Sequence, residues 1–224
     1  MSLKKRIMGN PGKFKILFTL YNRIPLIGKN RIKVKKGNNI SLKAARLKNT
    51  NITVKGKGNT VIIGDFCVLS NCSVYIAGND NTICLGEKSA FTGADFYIED
   101  DRNEICVGAH TSVHGNADFS AIEGTRIVIG EDCMFSKNVH LRTGDSHAIN
   151  DLDGNRINPS GDIIIGDHVW FGMGVICLKG VTVPGGCVAG AGTTISKSLS
   201  EGNSVYAGVP AKQIRTDIHW TRAR

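Results

Sequence analysis

The chain has 224 residues, 41% hydrophobic and 6% aromatic, with 28 Lys or Arg against 19 Asp or Glu. That length holds one sizeable core plus small terminal elements, and no stretch approaches the roughly 18 consecutive apolar residues of a membrane span. The net charge of +9 is uneven, because residues 1–64 carry 16 Lys or Arg and no acid while the remainder carries 12 basic and 19 acidic residues; with no recognition motif beside that charge, nucleic acid is set aside as a partner.

The first predicted element is a basic helical arm, residues 1–32. From Phe14 it reads FKILFTLYNRIPLIG, with Phe14, Leu17, Phe18 and Tyr21 at helical spacing. Two roles suit such a helix: capping the open end of the element that follows, or lying peripherally on an anionic membrane surface.

From about residue 33 the chain repeats. Ile63-Gly64, Leu85-Gly86, Val107-Gly108 and Ile129-Gly130 recur every 22 residues, each closing an apolar triplet. The segment around Asn39-Ile40 fits with a slip of about one residue. Polar turns precede the triplets (GKGNT, GNDNT, DDRNE and EGTR), and their Gly and Asn are expected to supply positive φ values. Within each triplet the outer residues share a face and the middle one points away. The middle residues Ile62, Cys84, Cys106, Val128 and Ile164 make an apolar outer stripe that predicts a cover, either the arm or a neighbouring subunit, and a threefold ring closes such an arrangement naturally. Cys84 and Cys106 should stack about 4.8 Å apart on neighbouring strands, a separation that permits a disulfide. Seven cysteines without a C-x-x-C pair or a secretory leader favour reduced thiols and a cytoplasmic protein instead.

The repeat is interrupted by HLRTGDSHAINDLDGNRINPSGD, residues 140–162. A polar loop of this length inside a compact repeat is usually functional. His147 is its best candidate, since imidazole exchanges protons near pH 7, and Asp145 and Ser146 offer groups to orient it.

A six-residue beat follows: IGDHVW, FGMGVI, CLKGVT, VPGGCV, AGAGTT, ISKSLS. The lead residues Ile165, Phe171, Cys177, Val183, Ala189 and Ile195 are all apolar. Neither a helix nor plain β alternation selects every sixth residue, whereas three short flat sides per coil do. Three hexads make a coil of 18, so the earlier coils of 22 read as 18 plus a four-residue corner loop. Coils of 22 also suit a right-handed β-helix, and the strict hexads favour the left-handed form, so the expected fold class is all-β, a left-handed parallel β-helix solenoid over residues 33–209 with a short N-terminal helix and a short C-terminal tail, residues 210–224. Its narrow interior is expected to take only Val, Ile, Leu, Ala and Cys, and the tail to form a cap or a partner-binding strand.

The loop His, then Ile165-Gly166-Asp167 with Val169-Trp170-Phe171-Gly172, the hexads, Gly190-Ala191-Gly192, and finally Ala207-Gly208-Val209-Pro210-Ala211-Lys212 with Arg215, resemble the hexapeptide-repeat acyltransferase superfamily. The sugar and polysaccharide O-acetyltransferases are the closest flavour, and the resemblance is dense over residues 125–215. It implies acetyl transfer from acetyl-CoA, as co-substrate, to a sugar hydroxyl, with His147 as general base, a homotrimer with its site at a subunit interface, and no metal. Asn116 matches a family residue facing the acceptor across a subunit boundary; a corner Asn in a left-handed turn is the plainer reading. Asp145 is assigned to the acceptor. Met173, Ala191, Ser196, Lys197, Lys212 and Arg215 match coenzyme contacts, the last two near its phosphates, although Met173 stands where relatives often carry Ser or Ala. Trp170 resembles a Trp that supports the His pocket. The alternatives are an amino-sugar N-acetyltransferase, a zinc-dependent enzyme hydrating carbon dioxide through His110, His114, His140, His147 or His168, and a purely structural solenoid.

Overall fold

The computed structural model describes residues 11–23 and 28–223. Among the described residues one helix, α1 (Pro11–Arg23), precedes a three-sided parallel β-solenoid. Face 1 stacks β1 (Arg31–Val34), β4 (Asn51–Val54), β7 (Ser73–Ala77), the second halves of β9 (Ala90–Glu99) and β11 (Ser112–Ala121), then β14 (His140–Arg142), β17 (Ile176–Cys177) and β20 (Thr194–Ile195). Face 2 runs from β2 (Asn39–Ser41) through β5 (Thr60–Ile63), β8 (Thr82–Leu85), β10 (Glu104–Val107), β12 (Arg126–Ile129) and β15 (Ile163–Ile165) to β18 (Thr182–Val183). Face 3 holds β3 (Arg46–Lys48), β6 (Val68–Ser70), the first halves of β9 and β11, β13 (Met134–Phe135), β16 (Trp170–Phe171), β19 (Val188–Ala189) and β21 (Val205–Ala207).

The triplet rhythm is the register of face 2. Ile63 pairs with Leu85, Leu85 with Val107 and Val107 with Ile129, then Ile129 pairs with Ile165 across the interruption and Ile165 with Val183. Ile40 pairs with Val61, the one-residue slip expected. The outer triplet residues are buried, and the middle stripe of Ile62, Cys84, Cys106, Val128 and Ile164 points outward, half-buried. All six lead residues of the hexads are buried. The glycine after each triplet answers to close coil stacking, because a Cβ on Gly86 would lie 2.4 Å from the backbone of Ala109 and one on Gly108 2.5 Å from that of Gly130.

Four sequence expectations change. The extra four residues of the early coils are not one corner loop: they are shared between a longer face-1 strand, as in β7 against the two-residue β17, and a wider first corner, between faces 1 and 2. The asparagines of those corners do not take the positive φ values. Gly58, Asp80 and Arg102 do, while Asn59, Asn81 and Asn103 turn inward as a buried ladder, each backbone N–H donating to the side-chain oxygen one coil below, from Asn38 up to Thr125 on Asn103. Inward Asn works here because every coil offers the next a partner, so no buried amide is left unmet. The interior is not purely aliphatic either. Phe91, Phe96, Phe119, Phe135 and Phe171 are buried, with Phe96 on Phe119 at 5.1 Å and Phe135 on Phe171 at 5.1 Å, because the coil rise matches the spacing of stacked rings. Lastly, β1 begins inside the expected arm, at Arg31, while the tail's β22 (Lys212–Arg215) folds back antiparallel on β21 outside the parallel repeat.

Helix α1 meets the first coil through its C-terminal end. Asn22 is buried, donating to Ala45 O at 2.9 Å and accepting from Leu47 N at 2.9 Å, which satisfies backbone groups at the start of β3. Ile16, Leu17 and Leu20 remain exposed, so the helix both caps the solenoid and keeps an apolar side free; the Phe14 side chain lies outside the described residues. All seven cysteines are free thiols.

Candidate functional site

Residues His140–Arg142 of the interruption are strand β14, and residues 143–162 form the loop proper at the first corner. Thr143 anchors its base, buried, with its hydroxyl 2.6 Å from that of Thr125 and accepting from Ile122 N at 3.1 Å. Asp151 caps the far turn by accepting from the backbone N–H groups of Asp153 and Asn155 at 3.0 and 2.8 Å. Between them lies Asn158, a buried residue that the spacing argument missed. Its amide donates to Asp145 Oδ2 at 2.8 Å and to His147 O at 2.9 Å, and its oxygen accepts from Ile149 N at 2.6 Å. Asn158 therefore fixes the backbone of His147, whose side chain is exposed and whose ring has no hydrogen-bond partner among the described residues. The only clue in the sequence was an Asn inside the same interruption.

Charges fasten the loop to the coils. Lys179, one coil on, donates to both Asp145 Oδ2 and Asn158 O, and it holds the Asp145 carboxyl below the usual carboxylate range, with Asn158 assisting. Arg156 and Ser160 do the same for Glu123, Arg156 first, with Arg156 Nη2 at 2.9 Å and Ser160 Oγ donating at 2.7 Å. Asp145 is thus the loop's fastening as well as a group beside His147. On face 1, Arg142 grips Asp118 through Nε and Nη2 at 2.9 and 2.6 Å. The neighbouring Asp95 carboxyl is pushed up by burial, in part offset by Ser73.

The other sequence candidates fall on distinct edges. Asn116 is exposed at the third corner, between faces 3 and 1, with φ +53°, the geometry of a corner Asn. Met173 and Ala191 occupy the same corner on later coils, stacked through Gly192 N to Met173 O at 2.8 Å. Gly174 has nothing nearer than 3.9 Å above its Cβ position and Gly192 nothing within 4 Å, so this edge is a shelf open at its glycines, with the Met173 side chain exposed beside them. Lys212 pairs with Ala207 at the end of that edge and Arg215 with Val205, both exposed. Ser196 and Lys197 lie instead on the first corner, lining a groove of ≈ 340 Å³ with Pro210 and Gln213. Within one protomer, then, His147 and the Met173–Ala191 shelf sit on opposite edges of face 1.

The tail runs down the second corner, between faces 2 and 3. Trp220 stacks on His168 with ring centroids 4.0 Å apart and donates from Nε1 to His168 O at 2.8 Å. Arg222 bonds Asp132 Oδ1 at 2.9 Å and Cys133 O at 2.8 Å. His168 is a packing residue of this strap, its Nδ1 2.8 Å from Asp132. Trp170 faces outward from β16 and meets Trp220 at 6.0 Å, on a different face from the loop. The histidines weighed for zinc are spread over different corners and faces, and among the described residues no three His, Cys, Asp or Glu groups converge on a metal position.

No family model matches the chain. The polysialic acid O-acetyltransferase of Neisseria meningitidis is 36% identical over 109 residues, 48% of this chain and 51% of that protein. Its counterpart from Escherichia coli O1:K1 is 36% identical over 97 residues, 43% and 31% of the two chains. In these sequence matches the chain spans about half, or less, of the curated relatives' length. The match in three dimensions is longer. The crystal structure of a polysialic acid O-acetyltransferase superposes with a TM-score of 0.77 at 33% identity, over 87% of this chain and 89% of that one. A polysialic-acid-specific acetyltransferase superposes with a TM-score of 0.78 at 30% identity, over 87% and 83%. The solenoid is thus the left-handed parallel β-helix.

Proposed function

This chain belongs to the hexapeptide-repeat acyltransferase superfamily, sugar O-acetyltransferase type, and from that premise we propose that it moves an acetyl group from acetyl-CoA to a hydroxyl of a cell-surface polysaccharide, with His147 as general base. The observation that carries this reading is the loop at the one interrupted corner, where Asn158, Asp145 and Lys179 hold the His147 backbone and leave its ring to solvent. His147 takes the proton of the acceptor hydroxyl as that oxygen attacks the thioester carbonyl, a role worth about 10²- to 10⁴-fold in rate. Acetyl-CoA supplies the activated acyl group. The shelf open at Gly174 and Gly192, between Met173 and Ala191, suits a slender thiol arm lying against backbone, and the exposed cations Lys212 and Arg215 near its end suit the coenzyme phosphates, with Lys197 across the groove it lines with Pro210. Ser196 lies beside Lys197, and Asn116 shares the shelf's edge and would face the acceptor.

Because that shelf and His147 occupy opposite edges of face 1, the complete site is formed between two copies of the chain, in a homotrimer whose covered surfaces include the apolar stripe on face 2. The enzyme works in the cytoplasm, and the exposed Ile16, Leu17 and Leu20 of α1 beside the basic arm suit peripheral contact with an anionic membrane. The test is acceptor-dependent thiol release from acetyl-CoA with hydroxyl and amino sugars, in wild type and His147→Ala. Release with hydroxyl acceptors in wild type alone is expected. Release only with amino sugars, or equal release in the variant, contradicts the reading.

A further inference from the structure

The cations of the first coils take no part in the site just described. Ten Lys and Arg lie between Lys29 and Lys57, every one exposed. Residues 1–64 contain no carboxylate, and among the described residues none of the ten forms an ion pair. A rigid scaffold that holds so many like charges within two coils stores repulsion that a polyanion relieves. Four of them, Lys29, Arg31, Lys33 and Lys43, line a groove of ≈ 1050 Å³ between α1 and the open end of the solenoid, together with Asn49 and Asn51. The groove is concave, which a flat bilayer does not fill and a flexible chain does. Its amides and ammonium groups together match carboxylates and sugar hydroxyls.

We propose that this groove is a second, non-catalytic site that holds a distal segment of an acidic polysaccharide while another segment is acetylated. The inference deepens the saccharide-acceptor reading and rests on it. On face 1 the groove strand β1 and the loop strand β14 are five coil steps apart, about 24 Å at the strand spacing. A single sugar spans no such distance and a polymer does, so the groove favours long acceptors over short ones by tethering.

The test measures binding separately from turnover, on the full chain. Titrations with long polysialic acid, a sialic acid trimer and neutral dextran are compared in wild type and in an Arg31→Gln/Lys33→Gln/Lys43→Gln variant. The long polymer should bind the variant about tenfold more weakly, and high salt should weaken binding to wild type; the trimer should bind both proteins equally and dextran neither. A charge-retaining Lys33→Arg/Lys43→Arg variant, with the same melting temperature, should keep wild-type affinity. Equal polymer affinity in wild type and the Gln variant overturns the proposal. So does a Gln variant that keeps polymer affinity but loses partitioning onto phosphatidylserine vesicles, which would make the groove a lipid-headgroup site. Polymer binding that depends on these cations without acetyl transfer by wild type would uphold the groove and count against the proposed reaction.

Discussion

On face 2 the coils from Thr60 to Ile129 take 22 residues each, and the coil from Ile165 to Val183 takes 18. Both kinds turn the same sequence of buried apolar residues inward and the same glycine toward the coil above. They part at their corners. The early coils spend their extra length on face 1 and on an inward asparagine ladder, and carry their cations outward. The late coils line the third corner with glycines at Gly172, Gly174, Gly190 and Gly192, Met173 among them, and follow directly on the loop that bears His147. A solenoid interior is a repeating structural solution, so chemistry is written where the repeat widens, narrows or breaks.

That contrast makes interior and corner substitutions separable. Phe119→Ala, in the buried ring stack, should cost about 3–5 kcal/mol of unfolding free energy, measured by denaturant titration, with acetyl transfer per folded molecule unchanged. Asn158→Ala should do the reverse, lowering kcat about 10- to 100-fold by loosening His147 with little change in melting temperature or in KM for acetyl-CoA. An equal fall in stability and kcat there would show Asn158 to be only structural. Asn103→Ala leaves Thr125 N–H and Glu99 C=O without the partners they have at 3.0 and 2.8 Å, and should cost about 1–3 kcal/mol. If it costs nothing, the ladder is incidental to the early coils.

The smallest effect is in acid. Asp145 and Glu123 are held below their ordinary values by Lys179 and Arg156, so the fastening they give is complete above the ordinary carboxylate range and is lost as pH falls below about 4, through the depressed folded values. Hydrogen exchange in residues 144–161 should accelerate there before the coil amides do. Simultaneous acceleration would mean that loop and coils open as one unit.

The solenoid was legible because every sixth or twenty-second residue must face one interior, and such a constraint writes itself into spacing. What had no spacing was not legible. Asn59, Asn81 and Asn103 read as turn residues because a polar side chain inside a coil makes sense only once its partner one coil away is known. The phenylalanine stack was hidden for the same reason. His147 stood out as a histidine in a break, but its supports did not, because Lys179 lies 34 residues beyond Asp145 in the chain; the tail strap was hidden likewise, with Trp220 meeting His168 across 52.

The central claim, that neither edge of face 1 makes a working site without the other edge from a second copy, is tested most directly by mixing two inactive proteins. His147→Ala removes the proposed base and Ala191→Trp fills the shelf on the opposite edge. Each alone should release no thiol from acetyl-CoA with polysialic acid present. Unfolded together and refolded as a mixture, they should recover about a quarter of wild-type activity, since random assembly leaves that share of boundaries with both edges intact. A mixture as inactive as its components would contradict the account.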